Sequence, residues 1–197
     1  MNFHDPKIGA ILDAAFAVFA HHGFRKTSML DIAEAAGMSR AALYLHFKNK
    51  EDVFRCASQR LHDEVMADVA VAMAADGPAM TRVVAALNTF FAGLLGPVQT
   101  SIYGRELFDA NMALAGDITL AARGQIQSLI ADALQQAHAH GEIDLDASQA
   151  SADALAELIL TAADGFKHAQ PSPRLDALLP LLMRLIGKAV QPRPLAY

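Results

Sequence analysis

Residues 28–47 read Ser28-Met29-Leu30-Asp31-Ile32-Ala33-Glu34-Ala35-Ala36-Gly37-Met38-Ser39-Arg40-Ala41-Ala42-Leu43-Tyr44-Leu45-His46-Phe47, and this order decides the fold. Ser28 is a helix cap, and a helix from Met29 to Ala36 follows it with Asp31 in the first turn. Gly37 supplies the left-handed residue that closes this helix. Ser39 caps a second helix, from Arg40 to His46 or Phe47. Two short helices joined by Gly37-Met38-Ser39 make a helix-turn-helix, an arrangement whose second helix can enter the major groove of a DNA duplex. Ile32, Ala33 and Ala36 face a core from the first helix, and Leu43 and Phe47 face it from the second. Ala33 is small where the helices must approach closely.

What a core does not explain is the outward set. Arg40 can pair bidentately with guanine or neutralise a phosphate. Ala41 and Ala42 permit close approach and contact with a thymine methyl, and Leu45 adds an apolar side chain. Tyr44, His46, Lys48 and Lys50 suit phosphate contacts, as do Thr27 and Ser28 at the start of the preceding helix. Ser39 sits where the second helix presents backbone N–H groups. The expected partner is double-stranded DNA.

Working outward, punctuation marks helices almost everywhere, and hairpin signals are missing. Pro6 opens a first helix carrying Ile8, Ile11, Leu12, Ala15, Phe16 and Phe19, which Gly23 stops. Asn49 caps a long helix from Lys50 to about Ala75, broken by Asp76-Gly77-Pro78. A helix to about Leu95 follows, then a break at Gly96-Pro97 and a shorter stretch around Ser101–Ala113. Gly116-Asp117 precedes a long helix ending at Gly141, and Asp146 caps another through about Lys167. Pro171-Ser172-Pro173 separates it from a last helix ending near Val190, kinked or restarted at Pro180, with a tail from Gln191 to Tyr197. The expected fold is all-α with nine or ten helices: a three-helix head on a larger helical body.

Of the 197 residues 53% are hydrophobic and 19% charged, which excludes a disordered chain. The apolar runs look too interrupted for a membrane span, no secretory leader is read, and a single cysteine, Cys56, suits a reducing cytoplasm. The net charge of −5 hides an asymmetry, since residues 1–60 sum to +2 and residues 61–197 to −7. Basic charge gathered near one end suggests a local anionic partner.

The extended pattern Gly23-Phe24-x-x-Thr27-Ser28-x-x-Asp31-Ile32-Ala33-x-x-Ala36-Gly37-Met38-Ser39-Arg40-x-x-Leu43-Tyr44-x-His46-Phe47-x-x-Lys50-Glu51 resembles the DNA-binding domain of TetR-family transcriptional regulators over residues 4–64. Leu45 and Ala41-Ala42 depart from the commoner polar residues at those positions, which bears on the DNA sequence read. The resemblance implies a DNA-binding domain over residues 1–48 and an effector-binding and dimerisation domain over residues 49–197. It implies a ligand-responsive repressor that binds a palindromic operator as a homodimer and is released by a small apolar effector.

For the effector, Phe90, Phe91, Leu94, Tyr103, Phe108, Met112, Leu129 and Phe166 offer aromatic and flexible apolar side chains on neighbouring helices. Asn88, Glu106, Asn111, Gln125 and Asp164 are candidates to orient it. For the dimer, the resemblance pairs the last two helices with their symmetry mates through Leu155, Ile159, Ala163, Leu178, Leu182, Leu185 and Ile186. The competing class is a small all-α enzyme or binding protein with an apolar pocket. The chain has no Gly-x-Ser-x-Gly, Gly-x-Gly-x-x-Gly, Walker loop or His-Glu-x-x-His, and no catalytic residue is expected. His138 and His140, two apart on a helix, point to different faces, His21-His22 suits a helix terminus, and neither a metal nor another cofactor is expected.

Overall fold

The computed structural model describes residues 5–168 and 174–192, with nine helices and no strand among them. In chain order these are α1 (Pro6–His22), α2 (Met29–Ala35), α3 (Arg40–Tyr44), α4 (Lys50–Ala74), α5 (Ala79–Gln99), α6 (Gly104–Ala139), α7 (Leu145–Ser148), α8 (Ala152–His168) and α9 (Arg174–Ala189). The chain packs into two compact units: residues 1–66 with 90–122, and residues 67–89 with 123–197.

The first unit is built around α1. Its i, i+3, i+4 stripe of Ile8, Ile11, Leu12, Ala15 and Phe19 is buried against Ile32 and Ala33 of α2, Leu43 of α3, Phe47, and Val53 and Phe54 of α4. Phe19, Phe24 and Phe54 close an aromatic triangle with ring centroids 5.6, 5.3 and 5.1 Å apart. Burying the Phe19 and Phe54 rings contributes about 1.5–3 kcal/mol each. Leu107 of α6 joins this cluster at 2% exposure, so the start of α6 is part of the head's own core. Gly93 of α5 is a close-approach residue, since a Cβ there would stand 2.5 Å from Cγ2 of Val65.

Four polar side chains in this unit form a closed circuit. Ser58 Oγ donates to Asn111 Oδ1 (2.7 Å), and Asn111 Nδ2 donates to Thr119 Oγ1 (2.9 Å). Thr119 Oγ1 lies 3.2 Å from His62 Nε2, and His62 Nδ1 lies 2.8 Å from the Ser58 carbonyl. A carbonyl only accepts, so Nδ1 carries the proton and Nε2 accepts from Thr119. Asn111 and Thr119 flank Ala115, where α6 kinks with φ −142° and ψ 19°. On the outer side, Arg55 grips Asp117 with two 2.6 Å bonds and the Leu114 carbonyl with one of 2.8 Å. This pairing holds the Asp117 carboxyl down to about 2.

Burial pushes the His62 imidazole below its ordinary 6.5, so the unfolded chain takes up that proton first as the pH falls. Stability from this group is therefore present above the ordinary imidazole value and lost below it. Unfolding midpoints compared between about pH 7.5 and pH 5.5 should fall with acidification. The fall should be smaller in His62→Gln, where the remaining histidines are unchanged.

The second unit buries Ile126, Ile130, Leu134 and Ala137 of α6, Leu155, Ala156, Ile159, Leu160 and Ala163 of α8, and Leu179, Met183 and Ile186 of α9. Helices α8 and α9 pack on each other. Arg123 of α6 reaches Asp164 (3.1 Å), Glu157 (3.2 Å) and Thr161 (3.2 Å) of α8. These contacts hold the Glu157 carboxyl below the usual carboxylate range.

Several boundaries differ from the expected ones. Gly96-Pro97 does not end α5, which continues to Gln99. At that point the missing N–H of Pro97 removes one bond from a helix already about five turns long, and Val98 is held by packing on the head cluster. The expected break at Gly116-Asp117 is the kink at Ala115 instead. Asp146 lies inside the short α7, which Asp144 caps, and Ser151 caps α8 through the Ala154 N–H. Helix α9 runs through Pro180. The Pro171–Pro173 separator and residues 193–197 of the tail lie outside the described residues.

The expectation that no apolar run reaches membrane length is also corrected. Helix α5, Ala79–Gln99, is long and apolar enough to cross a membrane by length and composition. Its apolar residues nonetheless follow a core pattern, with Ala79, Val83, Ala86, Leu87, Phe90 and Phe91 buried and Thr81, Ala85, Asn88 and Ala92 exposed. That spacing is one buried face of a helix rather than an evenly apolar cylinder.

Candidate nucleic-acid interface

Local hydrogen bonds build the turn between α2 and α3. Ser28 accepts from the Asp31 N–H (3.3 Å) while Asp31 Oδ2 accepts from the Ser28 N–H (2.7 Å), a reciprocal cap that holds the Asp31 carboxyl below its usual value. At the other end, Gly37 takes φ +65°, its N–H donates to the Glu34 carbonyl (3.1 Å), and the Met38 N–H donates to Ala33 (2.9 Å). This double closure satisfies two of the last carbonyls of α2 and turns the chain sharply. Ser39 then caps α3 by accepting from the Ala42 N–H (3.1 Å).

Helix α3 leans on the core only through Leu43, which is 0% exposed, followed by Phe47 at 1%. Arg40, Ala41, Tyr44 and Leu45 face out. Arg40 and Tyr44, one turn apart, are joined by a 3.3 Å bond from Nη2 to the phenolic oxygen, with the guanidinium 5.4 Å from the ring centroid. Tyr44 is 44% exposed and Leu45 84%. Ala41 and Lys48 are exposed, and Ala42 and His46 half-buried. The structure adds Arg25 and Lys26, exposed in the α1–α2 turn, where the Glu106 carboxylate holds the Arg25 N–H at 2.6 Å. Their presence in the basic stretch between Arg25 and Lys50 was the signal in the sequence.

Two of the expected phosphate contacts are placed otherwise. Thr27 is 2% exposed and its hydroxyl donates to the Gly23 carbonyl at 2.7 Å, because it closes the turn after α1. Lys50 turns inward: its ammonium donates to the carbonyls of Phe24, Arg25 and Thr27, each at 3.0 Å, and lies 4.7 Å from the Phe24 ring centroid. Three donors meet three acceptors, so Lys50 clips the α1–α2 turn onto the start of α4. Lys50→Met should lower stability by about 1.5–3 kcal/mol in urea unfolding. Lys48→Met should leave stability unchanged and reduce the salt dependence of DNA binding by about one counterion per protomer.

The residues expected around an effector are dispersed. In the first unit Phe90 and Phe91 are buried with rings 5.3 Å apart, and Leu94 and Phe108 are half-buried. Tyr103 instead packs on the α1–α2 turn, where a Cβ on Gly23 would lie 3.0 Å from its ring, because Ser101 Oγ ties the α5–α6 connection to the Ala20 carbonyl at 2.6 Å. Met112 is 52% exposed, since the buried face of α6 is set by Leu107, Ala115 and Ile118. Leu129 is half-buried in the second unit, and the Phe166 side chain lies outside the described residues. Of the polar candidates, Asn111, Glu106 and Asp164 have partners within the chain, and Asn88 and Gln125 are exposed. A cleft of about 160 Å³ between α1, α4 and Pro97, lined by Leu12, Phe16, Ala57 and Leu61 under an Asp13–Arg60–Glu64 rim, shares none of these residues.

On α8 the apolar face expected for dimerisation is out of register, whereas on α9 only Ile186 of the expected residues is buried. Leu155, Ile159, Ala163 and Ile186 are buried inside the protomer, filling its core. The outward apolar side chains are Leu158 (53% exposed), Leu181 (42%) and Leu185 (58%), with Leu178 and Leu182 half-buried. Among the described residues no group of three or more His, Cys, Asp or Glu could hold a metal ion, and His138 Nδ1 receives the Leu145 N–H at 3.3 Å.

A sequence model of the bacterial regulatory proteins of the tetR family matches residues 11–56. The probable acrEF/envCD operon repressor of Escherichia coli K12 is 48% identical over 44 residues, which span 22% of this chain and 20% of that protein. The HTH-type transcriptional repressor BepR of Brucella suis is 30% identical over 166 residues, covering 80% of this chain and 77% of BepR. The chain belongs to the tetR family. The fold agrees: a TetR/AcrR-family regulator from Thermobifida fusca superposes with a TM-score of 0.69 at 21% identity, covering 92% of this chain and 97% of that one. Regulators of the tetR family are transcription factors and not enzymes. In this member, α2 and α3 supply the helix-turn-helix.

Proposed function

We propose that this chain is a ligand-responsive transcriptional repressor in the cytoplasm, binding a palindromic operator as a homodimer and released by a small, predominantly apolar effector. Residues 1–48 make the DNA contacts, and residues 49–197 carry effector binding and dimerisation. The observation that carries the reading is α3 itself: Leu43 and Phe47 anchor it to the core while Arg40, Tyr44 and Leu45 stand exposed. The similarity to BepR, a transcriptional repressor, supports the direction of control.

Dimerisation follows from need and from surface. Two heads are required for two half-sites one DNA turn apart, and Leu158, Leu181 and Leu185 leave an apolar face on α8 and α9. Effector-linked movement of α6 reaches α4 through the Arg55–Asp117 grip and the His62 circuit, both beside the kink. Such coupling is worth about 1–3 kcal/mol between the two states.

The test is a shift assay on the DNA beside the protein's own gene at several salt concentrations, with sedimentation of the same preparation. Binding should weaken steeply with salt. Leu185→Glu should sediment as a monomer and bind at least about tenfold more weakly, through loss of the second half-site. A salt-insensitive, monomeric wild type would refute the reading.

A further inference from the structure

Leu45 follows the last residue of α3 in a helical conformation and is 84% exposed, although Leu43 and Phe47 beside it are almost wholly buried. A leucine held in water adds nothing to the packing of the free chain, and its transfer free energy is gained only against another surface. The charges around it say what kind. Between Arg25 and Lys50 the exposed charges are Arg25, Lys26, Arg40 and Lys48 against Glu34, because Asp31 is spent on its cap and Lys50 on carbonyls. A cationic surface around an apolar projection fits a polyanion that has an apolar group recessed in it. In the major groove the apolar group a natural base pair offers is the thymine C5-methyl.

We infer that Leu45 is a specificity-determining residue that reads a thymine methyl in each half-site. Ala41, one turn earlier on the same face, leaves the room for it, while the Arg40–Tyr44 pair occupies the adjoining stripe. The inference rests on the DNA-binding reading and adds the base feature recognised.

The experiment uses the full chain and duplexes it selects from a random pool. Each thymine of the selected site is replaced in turn by uracil, which keeps the base pair and removes only the methyl. For the wild type, at least one position per half-site should lose about fourfold in affinity, the worth of one buried methyl. Leu45→Ala, which removes the contact from both half-sites, should already bind the thymine duplex about 16-fold more weakly and show no further loss with uracil there. A wild type indifferent to uracil at every position, or a Leu45→Ala variant as sensitive as the wild type, overturns the inference and leaves the regulator reading standing. Failure to select any duplex overturns both, and is seen before uracil is introduced.

Discussion

Arg40→Ala should lower operator affinity by about 100-fold, from about 1.4 kcal/mol lost in each of two half-sites. Arg40 stands at the start of α3, paired with no carboxylate among the described residues and braced by the Tyr44 hydroxyl at 3.3 Å. A guanidinium held in this way loses less rotamer freedom on meeting a guanine edge than a free one would. Equilibrium shift assays at fixed salt, against specific and random competitor DNA, measure the effect. The loss should fall mainly on the specific duplex. An equal loss on both would make Arg40 a phosphate contact, and affinity close to wild type would leave it only a brace for Tyr44. Arg40→Lys should not restore the specific fraction, since an ammonium lacks the two parallel donors.

Phe47→Ala should cost about 3–5 kcal/mol of stability, a large share of the roughly 5–15 kcal/mol that a domain possesses. Phe47 is 1% exposed and lies in the cluster that joins α1, α2, α3 and α4. Removing the ring opens a void under the reading helix. Urea unfolding followed by helicity should show an early transition for the head, and specific DNA binding should vanish with it. Phe47→Leu should recover most of the loss, which a direct role for the ring in DNA contact would not allow.

The head was legible because its signals are local. Ser28, Gly37, Ser39 and Asn49 each act on backbone groups within four residues, and each is found capping or turning as expected. What sequence could not show depends on distant chain. The three carbonyls that claim Lys50 lie 23–26 residues before it, and Thr27 is buried by the same turn. Tyr103 left the body for the head because of a bond from Ser101 to Ala20, 81 residues apart. On α8 and α9 several apolar stripes share one helix, and periodicity alone does not say which faces inward. Leu155 and Ile159 went to the core and Leu158 to the surface. Gly96-Pro97 reads as a stop by local rules, yet packing around Val98 carries the helix past it.

Lys50 also limits what can replace it. A tetrahedral ammonium sends its three hydrogens to three separated carbonyls, whereas a guanidinium spreads its own in a plane. Arginine, an easy exchange for lysine on a solvated surface, would leave at least one of these oxygens unanswered and prise the turn from the helix it is fastened to. Lysine at this position is thus a demand of shape rather than of charge.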